Sequence, residues 1–165
     1  MDVFDCIKTR RSIRCYTDQP IEQELINKLI EAVVWTPSGK NGQPWKFKVI
    51  IERNTINYLS DLSIYGKWMR TAQCFILVFL DKDISYDYIK DVQSCGAAFQ
   101  NIMLCANSLG LGSCWIGEIL PKANKIKNIL QIDNDNLEFM GVITLGYKAS
   151  ETLLSKRRSI ESFLL

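Results

Sequence analysis

"DYIKDVQSCGAAFQNIMLCANSLG", Asp87 to Gly110, is the longest periodic stretch in the chain. Val92, Cys95, Phe99, Ile102, Met103 and Ala106 recur at the spacing that aligns side chains on one helical face. The pattern predicts a helix over 87–109, with Gly110 ending it in a left-handed cap. Gly96, Ala97 and Ala98 lie together in it. Such small residues suit either dense core packing or the close approach of a helix from a second subunit.

Working outward, the period changes. Cys74 to Leu80 is a continuous apolar run between polar residues, as in a strand buried on both faces. Ser113 to Glu118 reads as a weak strand or loop, and Pro121 to Leu130 as a short helix. Phe139 to Tyr147 reads as a strand carrying Gly141 and Gly146. Upstream, Leu25, Ile26, Leu29, Ile30 and Val33 predict an amphipathic helix over Ile21 to Trp35, with Asp18 as its N-cap and Pro37 ending it. Lys46 to Glu52 predicts a strand, Asn54 to Leu62 and Val3 to Lys8 short helices, and Arg10 to Tyr16 an extended segment. The mixture implies one α+β domain over residues 1–165, its sheet antiparallel or mixed and flanked by helices. The end of the chain, Leu154 to Leu165, is basic and then apolar, which predicts a docked segment.

Composition narrows the function. The chain has 165 residues and a net charge of +2, too little to argue for nucleic acid or an anionic membrane. The longest apolar run is far short of the ~20 residues that span a bilayer. No basic-then-apolar leader opens the sequence, so the expectation is a cytoplasmic protein. The six cysteines form no C-x-x-C pair and read as small core residues in a reducing compartment. Histidine is absent. That excludes Ser-His-Asp and Cys-His nucleophile pairs and histidine-ligated zinc, and no metal site is expected. Any enzymatic chemistry then rests on other side chains or on a cofactor.

Four constellations are candidates for a site. Arg10, Arg11, Ser12 and Arg14 place three guanidinium groups and a hydroxyl within five residues. Guanidinium is a planar fork that matches phosphate. In an extended segment Arg10, Ser12 and Arg14 share one face and Arg11 and Ile13 the other; the plain alternative is a solvated basic patch. Lys156, Arg157 and Arg158 form a second basic run, followed by Ile160, Phe163, Leu164 and Leu165. If that end docks, two cationic clusters can meet at one phosphate. The loop "TPSGKNGQPWKF", Thr36 to Phe47, offers Ser38, Asn41 and Gln43 as polar groups. Gly39 allows close backbone approach, and Pro37, Pro44 and Trp45 stiffen the loop. A structural turn is the bland reading of it. Finally, "GLGSCWIGE" follows a helix instead of preceding one, so it is not a dinucleotide phosphate loop. Its glycines still let backbone approach a flat ring.

Taken in order, these residues resemble the FMN-dependent nitroreductase family. The resemblance runs from Arg10–Arg14 through Thr36–Trp45 and Gly96–Gly117 to Gly146-Tyr147 and Lys156–Arg158. It implies a nitroreductase-like fold forming an entwined homodimer with two sites at its interface. It implies that Arg10, Arg11, Ser12 and Arg14 grip FMN, with Arg14 nearest the pyrimidine edge of the ring. Pro37, Ser38, Gly39, Asn41 and Gln43 would reach the flavin from the other subunit. Trp115, Ile116 and Gly117 would lie by the ring, and Lys156 and Arg158 would complete the phosphate grip. The implied activity is reduction of small acceptors, nitroaromatics or quinones, by ping-pong hydride transfer from NADH or NADPH. Flavin-dependent dehalogenation, flavin breakdown and a non-catalytic flavin-binding module are the alternatives. The chain is short for the family between Glu52 and Cys74, which predicts a more open substrate face.

Overall fold

The computed structural model describes residues 1–150 and 155–165. Four strands form one antiparallel sheet in the order β1-β2-β4-β3. They are β1 (Trp45–Ile50), β2 (Cys74–Asp81), β3 (Leu111–Ile116) and β4 (Leu137–Tyr147). The helices are α1 (Val3–Thr9), α2 (Gln23–Val34), α3 (Arg53–Ser60), α4 (Gly66–Met69), α5 (Tyr88–Ser108) and α6 (Ala123–Ile129). The expectation of an α+β fold with an antiparallel sheet is met.

β2 explains why its sequence is apolar throughout. Cys74, Ile76, Val78 and Leu80 face one core with Ile26, Leu29 and Val33 of α2 and Phe99, Ile102 and Met103 of α5. Phe75, Leu77 and Phe79 face a second core with Ile56 and Leu59 of α3, Met69 of α4 and Ile126 of α6. An alternating strand covered on both faces has no polar side. Several boundaries differ from expectation. α2 starts at Gln23 behind Glu22, so Asp18 is not its cap. α3 is capped instead by the Glu52 carboxylate, which accepts from the backbone N–H of Asn54 and Thr55. α4 was not foreseen. α5 fits its prediction, with Asp87 as its cap and Gly110 at φ +80°.

β4 carries a bulge. Val78 pairs with Gly141 and Phe79 with Phe139, leaving Met140 as the extra residue. Gly141 sits at φ +134°, and a Cβ there would lie 3.1 Å from Trp115 Nε1. The bulge therefore makes room for the Trp115 indole.

The end of the chain departs from expectation. Ile160, Phe163, Leu164 and Leu165 are exposed, so the segment does not dock on its own chain. Leu154, where that predicted segment began, lies outside the described residues. Among the described residues no helix is long and apolar enough to cross a membrane.

The cysteines behave as packing residues, apart from exposed Cys15. Burial pushes the thiols of Cys74 and Cys95 up to about 12 from the ordinary 9.0. The folded chain then holds protons that the unfolded chain has lost, so stability falls as pH rises from 9.0 toward 12. Alkylation at neutral pH is expected to label Cys15 and spare Cys74 and Cys95, as peptide mapping will report. Denaturant midpoints should decline through that alkaline window.

Candidate active site

The arginine motif lies on a bare patch of sheet. Gly112 and Gly146 are directly opposed in the β3–β4 register. A Cβ on Gly112 would lie 2.9 Å from Ile13 Cβ, and one on Gly146 would lie 2.9 Å from Tyr16 Cβ. With no side chains there, residues 10–16 lie flat on the sheet as a strap. Backbone bonds tie it down: Ile13 N–H donates to Ser113 O at 2.9 Å and Thr17 N–H to Tyr147 O at 2.9 Å. Tyr16 is buried, and its hydroxyl bonds Ile13 O and Thr144 Oγ1, each at 2.7 Å. Burial pushes its ionisation far above the ordinary tyrosine value, so the strap keeps a neutral, bonded phenol beneath it.

Alternation then sets the outer face. Ile13 points into the core while Arg10, Ser12 and Arg14 line two adjoining hollows; the alternation then breaks at exposed Cys15, and Tyr16 turns into the core as well. Arg11 turns back instead. Its Nη1 donates to Lys8 O at 2.6 Å and Arg10 O at 2.7 Å, closing the C-terminal end of α1. Among the described residues none of these arginines has a carboxylate partner. Burial raises the Cys114 thiol, while Arg14, the Ser12 hydroxyl and Arg10 pull it the other way, so all three groups act on one locality.

The first hollow, about 440 Å³, is bounded by Arg10, Ser12, Gln100, Met103, Trp115 and Leu120, with Gly117 and Met140. The second, about 470 Å³, joins Arg14 to Tyr65, Trp68, Ile116 and Glu118 across Trp115 and Gly117. Trp115 is the wall between them, stacked on Phe99 with ring centroids 4.2 Å apart and planes 8° from parallel. Trp115 and Gly117 thus reach both hollows, as expected, although Ile116 is mostly buried. Sequence reasoning missed Gln100, Leu120 and Met140, and it missed Tyr65 and Trp68. The short 53–73 region was expected to leave this face open, yet its α4 turn supplies two aromatic side chains. Ser63 Oγ donates to the Glu118 carboxylate and fastens that turn beside the end of β3.

Two predicted groups lie elsewhere. Pro37, Ser38 and Gly39 line a third, shallower hollow with Tyr86, Lys90 and Gln93. Their loop is unusual: Lys40, Asn41 and Gln43 all have φ near +50°, at 54°, 54° and 48°. Such conformations cost about 1–3 kcal/mol each for non-glycine residues, least for Asn, so the surroundings must impose them. Ser38 Oγ accepts from Gln43 N–H at 3.0 Å, and Asn101 holds buried Thr36 at 2.8 Å. Lys156 and Arg158 are exposed, and the Arg158 guanidinium lies over the Phe163 ring at 4.5 Å. Neither borders the hollows lined by Arg10, Ser12 and Arg14.

The whole chain matches one family profile. The family described as "Putative TM nitroreductase" covers residues 2–165. The chain belongs to the nitroreductase family. A "Putative NADH dehydrogenase/NAD(P)H nitroreductase" of Archaeoglobus fulgidus is 37% identical over 153 residues, 89% of this chain and 87% of that one. The FMN reductase (NAD(P)H) of Bacillus subtilis is 25% identical over 174 residues, 94% of this chain and 70% of that one. A crystal structure described as a "putative nitroreductase in complex with FMN", from Desulfovibrio desulfuricans, superposes with a TM-score of 0.94 at 39% identity. That match covers 100% of this chain and 96% of the other. The nitroreductase fold is thereby established, and with it the fold expected from the sequence.

Proposed function

We propose that this nitroreductase-family chain is an NAD(P)H-dependent FMN oxidoreductase acting on small electron acceptors, nitroaromatics or quinones, by a ping-pong cycle. The observation that carries the reading is the strap: Arg10, Ser12 and Arg14, with no carboxylate partner among the described residues, beside two hollows walled by the Trp115 ring. A phosphate-bearing, flat-ringed cofactor needs both features at once. The family likeness and the relatives' FMN and NAD(P)H names support the same group.

A bound FMN would supply the hydride chemistry between a nicotinamide and an acceptor. The chain's own residues bind and orient. Arg10 and Ser12 would hold the phosphate and ribityl chain, and Arg14 would supply fixed positive charge on the ring side of the strap. Trp115 to Gly117 would present a flat wall, and the apolar lining from Met103, Leu120 and Met140 would exclude water. In this reading one domain over residues 1–165 forms a cytoplasmic homodimer. Pro37, Ser38, Gly39, Asn41 and Gln43 of the partner subunit close the pocket, and Lys156 and Arg158 are recruited to the phosphate on assembly. Gly96 on α5, with open space where a Cβ would stand, leaves that helix face free for close approach.

The test is direct. The purified protein mixed with FMN should be yellow and should bleach anaerobically with NADH or NADPH. It should then oxidise the nicotinamide over many turnovers with a quinone present. A protein that stays colourless after FMN addition overturns the reading. One that binds FMN without turnover is a binding module instead.

A further inference from the structure

The loop over 36–44 holds its left-handed residues without glycine at those positions, and besides its internal bonds, such as Gln43 N–H to Ser38 Oγ, it needs a support from outside. Tyr86 meets this need. Its ring lies against the Gly39 backbone so closely that a Cβ on Gly39 would stand 2.0 Å from the phenol oxygen and 2.6 Å from the ring carbons. The Lys40 ammonium lies over the same ring at 4.8 Å and the Lys90 ammonium at 5.4 Å. Tyr86 precedes α5 in an irregular connection, so its own position needs fixing.

Asp91 supplies that. It is 1% exposed, in the first turns of α5. Its Oδ2 accepts from Ser85 Oγ at 2.7 Å, Tyr86 N–H at 3.0 Å and Asp87 N–H at 3.3 Å. One buried carboxylate thus gathers three consecutive residues around the root of Tyr86. Its other oxygen, Oδ1, is buried and has no hydrogen-bond partner among the described residues.

We propose that Asp91 and Tyr86 are positioning residues, a buttress from the start of α5 that sets the conformation of the 36–44 loop for cofactor binding. The inference rests on the reading that this loop walls the flavin pocket of the partner subunit. Gly39 is then required because any side chain there would displace Tyr86, and the lysines hold the ring by cation–π attraction.

The test is a cycle of variants in the full-length protein, read by FMN fluorescence titration and by trypsin cleavage after Lys40. Tyr86→Ala should weaken FMN binding roughly tenfold through lost pre-organisation and speed the cleavage by a similar factor. Tyr86→Phe, which keeps the ring, should stay within about twofold. Gly39→Ala should weaken binding roughly tenfold or more alone, yet add nothing in the Tyr86→Ala background, because the residue it strikes is gone. Asp91→Ala should repeat the Tyr86→Ala behaviour, and Asp91→Asn, which keeps an accepting oxygen, should restore it. Thermal melting of each variant separates these changes from general instability. Additive effects of Gly39→Ala and Tyr86→Ala, or unchanged cleavage and binding in Tyr86→Ala, overturn the proposal. If the wild-type protein fails to bind FMN, the proposed function falls while cleavage after Lys40 still decides the buttress.

Discussion

Gly146→Val is expected to weaken FMN binding more than about 100-fold, the scale of losing several charge-assisted contacts together. The reason lies under the strap. A Cβ at this position meets Tyr16 Cβ at 2.9 Å and its ring at 2.8 Å, and neither is the free end of a flexible chain. Tyr16 must lift, and with it go the bonds to Ile13 O and Thr144 Oγ1. Arg10, Ser12 and Arg14 lose their common seat. Valine itself suits a strand, so β4 should persist. Circular dichroism should show retained sheet at a lower melting temperature, and flavin fluorescence should show the lost affinity. Wild-type FMN affinity in this variant would mean that the strap does not carry the cofactor site.

Arg10→Ala is expected to weaken FMN binding by roughly 1.5–3 kcal/mol, the range for a hydrogen bond to a charged group. Arg10 borders the first hollow with Ser12, and among the described residues no carboxylate neutralises it. Removing it leaves no buried acid stranded, so the loss should appear in binding and hardly in the melting temperature. Arg10→Lys keeps charge without the fork and should recover only part of the affinity. Arg11→Ala should behave in the opposite way, because Arg11 closes the end of α1 through the carbonyls of Lys8 and Arg10. An unchanged FMN affinity in Arg10→Ala would remove the phosphate assignment.

What could be read from the chain alone was whatever its local period encodes. The unbroken run of β2 and the one-sided face of α5 stand in the sequence because burial dictates them residue by residue. The two-residue alternation of the strap likewise separated Arg10, Ser12 and Arg14 from Ile13. Other features depend on register between distant strands. That Gly112 opposes Gly146, and that Met140 is the extra residue of a bulge, follow only from the pairing of β3, β2 and β4. Gly141 within a strand pattern was the available signal for that bulge. The α4 turn escaped because Tyr65, Gly66 and Trp68 show no period; their place is set by contacts such as Ser63 with Glu118. The cap of α2 was misplaced because Asp18 is a favoured cap residue and Glu22 is not, yet the chain stays extended as far as Glu22, whose carboxylate makes no cap bond and accepts from the Tyr147 hydroxyl instead. The exposed end, Ile160 to Leu165, is a case where hydrophobicity announces burial without saying against which surface.

The seat of the arginines has a consequence for biosynthesis. They are made before the threonine that receives the Tyr16 hydroxyl, which lies 128 positions later than Tyr16. Until β4 has emerged and paired, the N-terminal segment has nowhere to settle, and its cations dangle beside an unfinished sheet. Flavin capture therefore waits for β4, and a nascent polypeptide stalled before Thr144 should take up none.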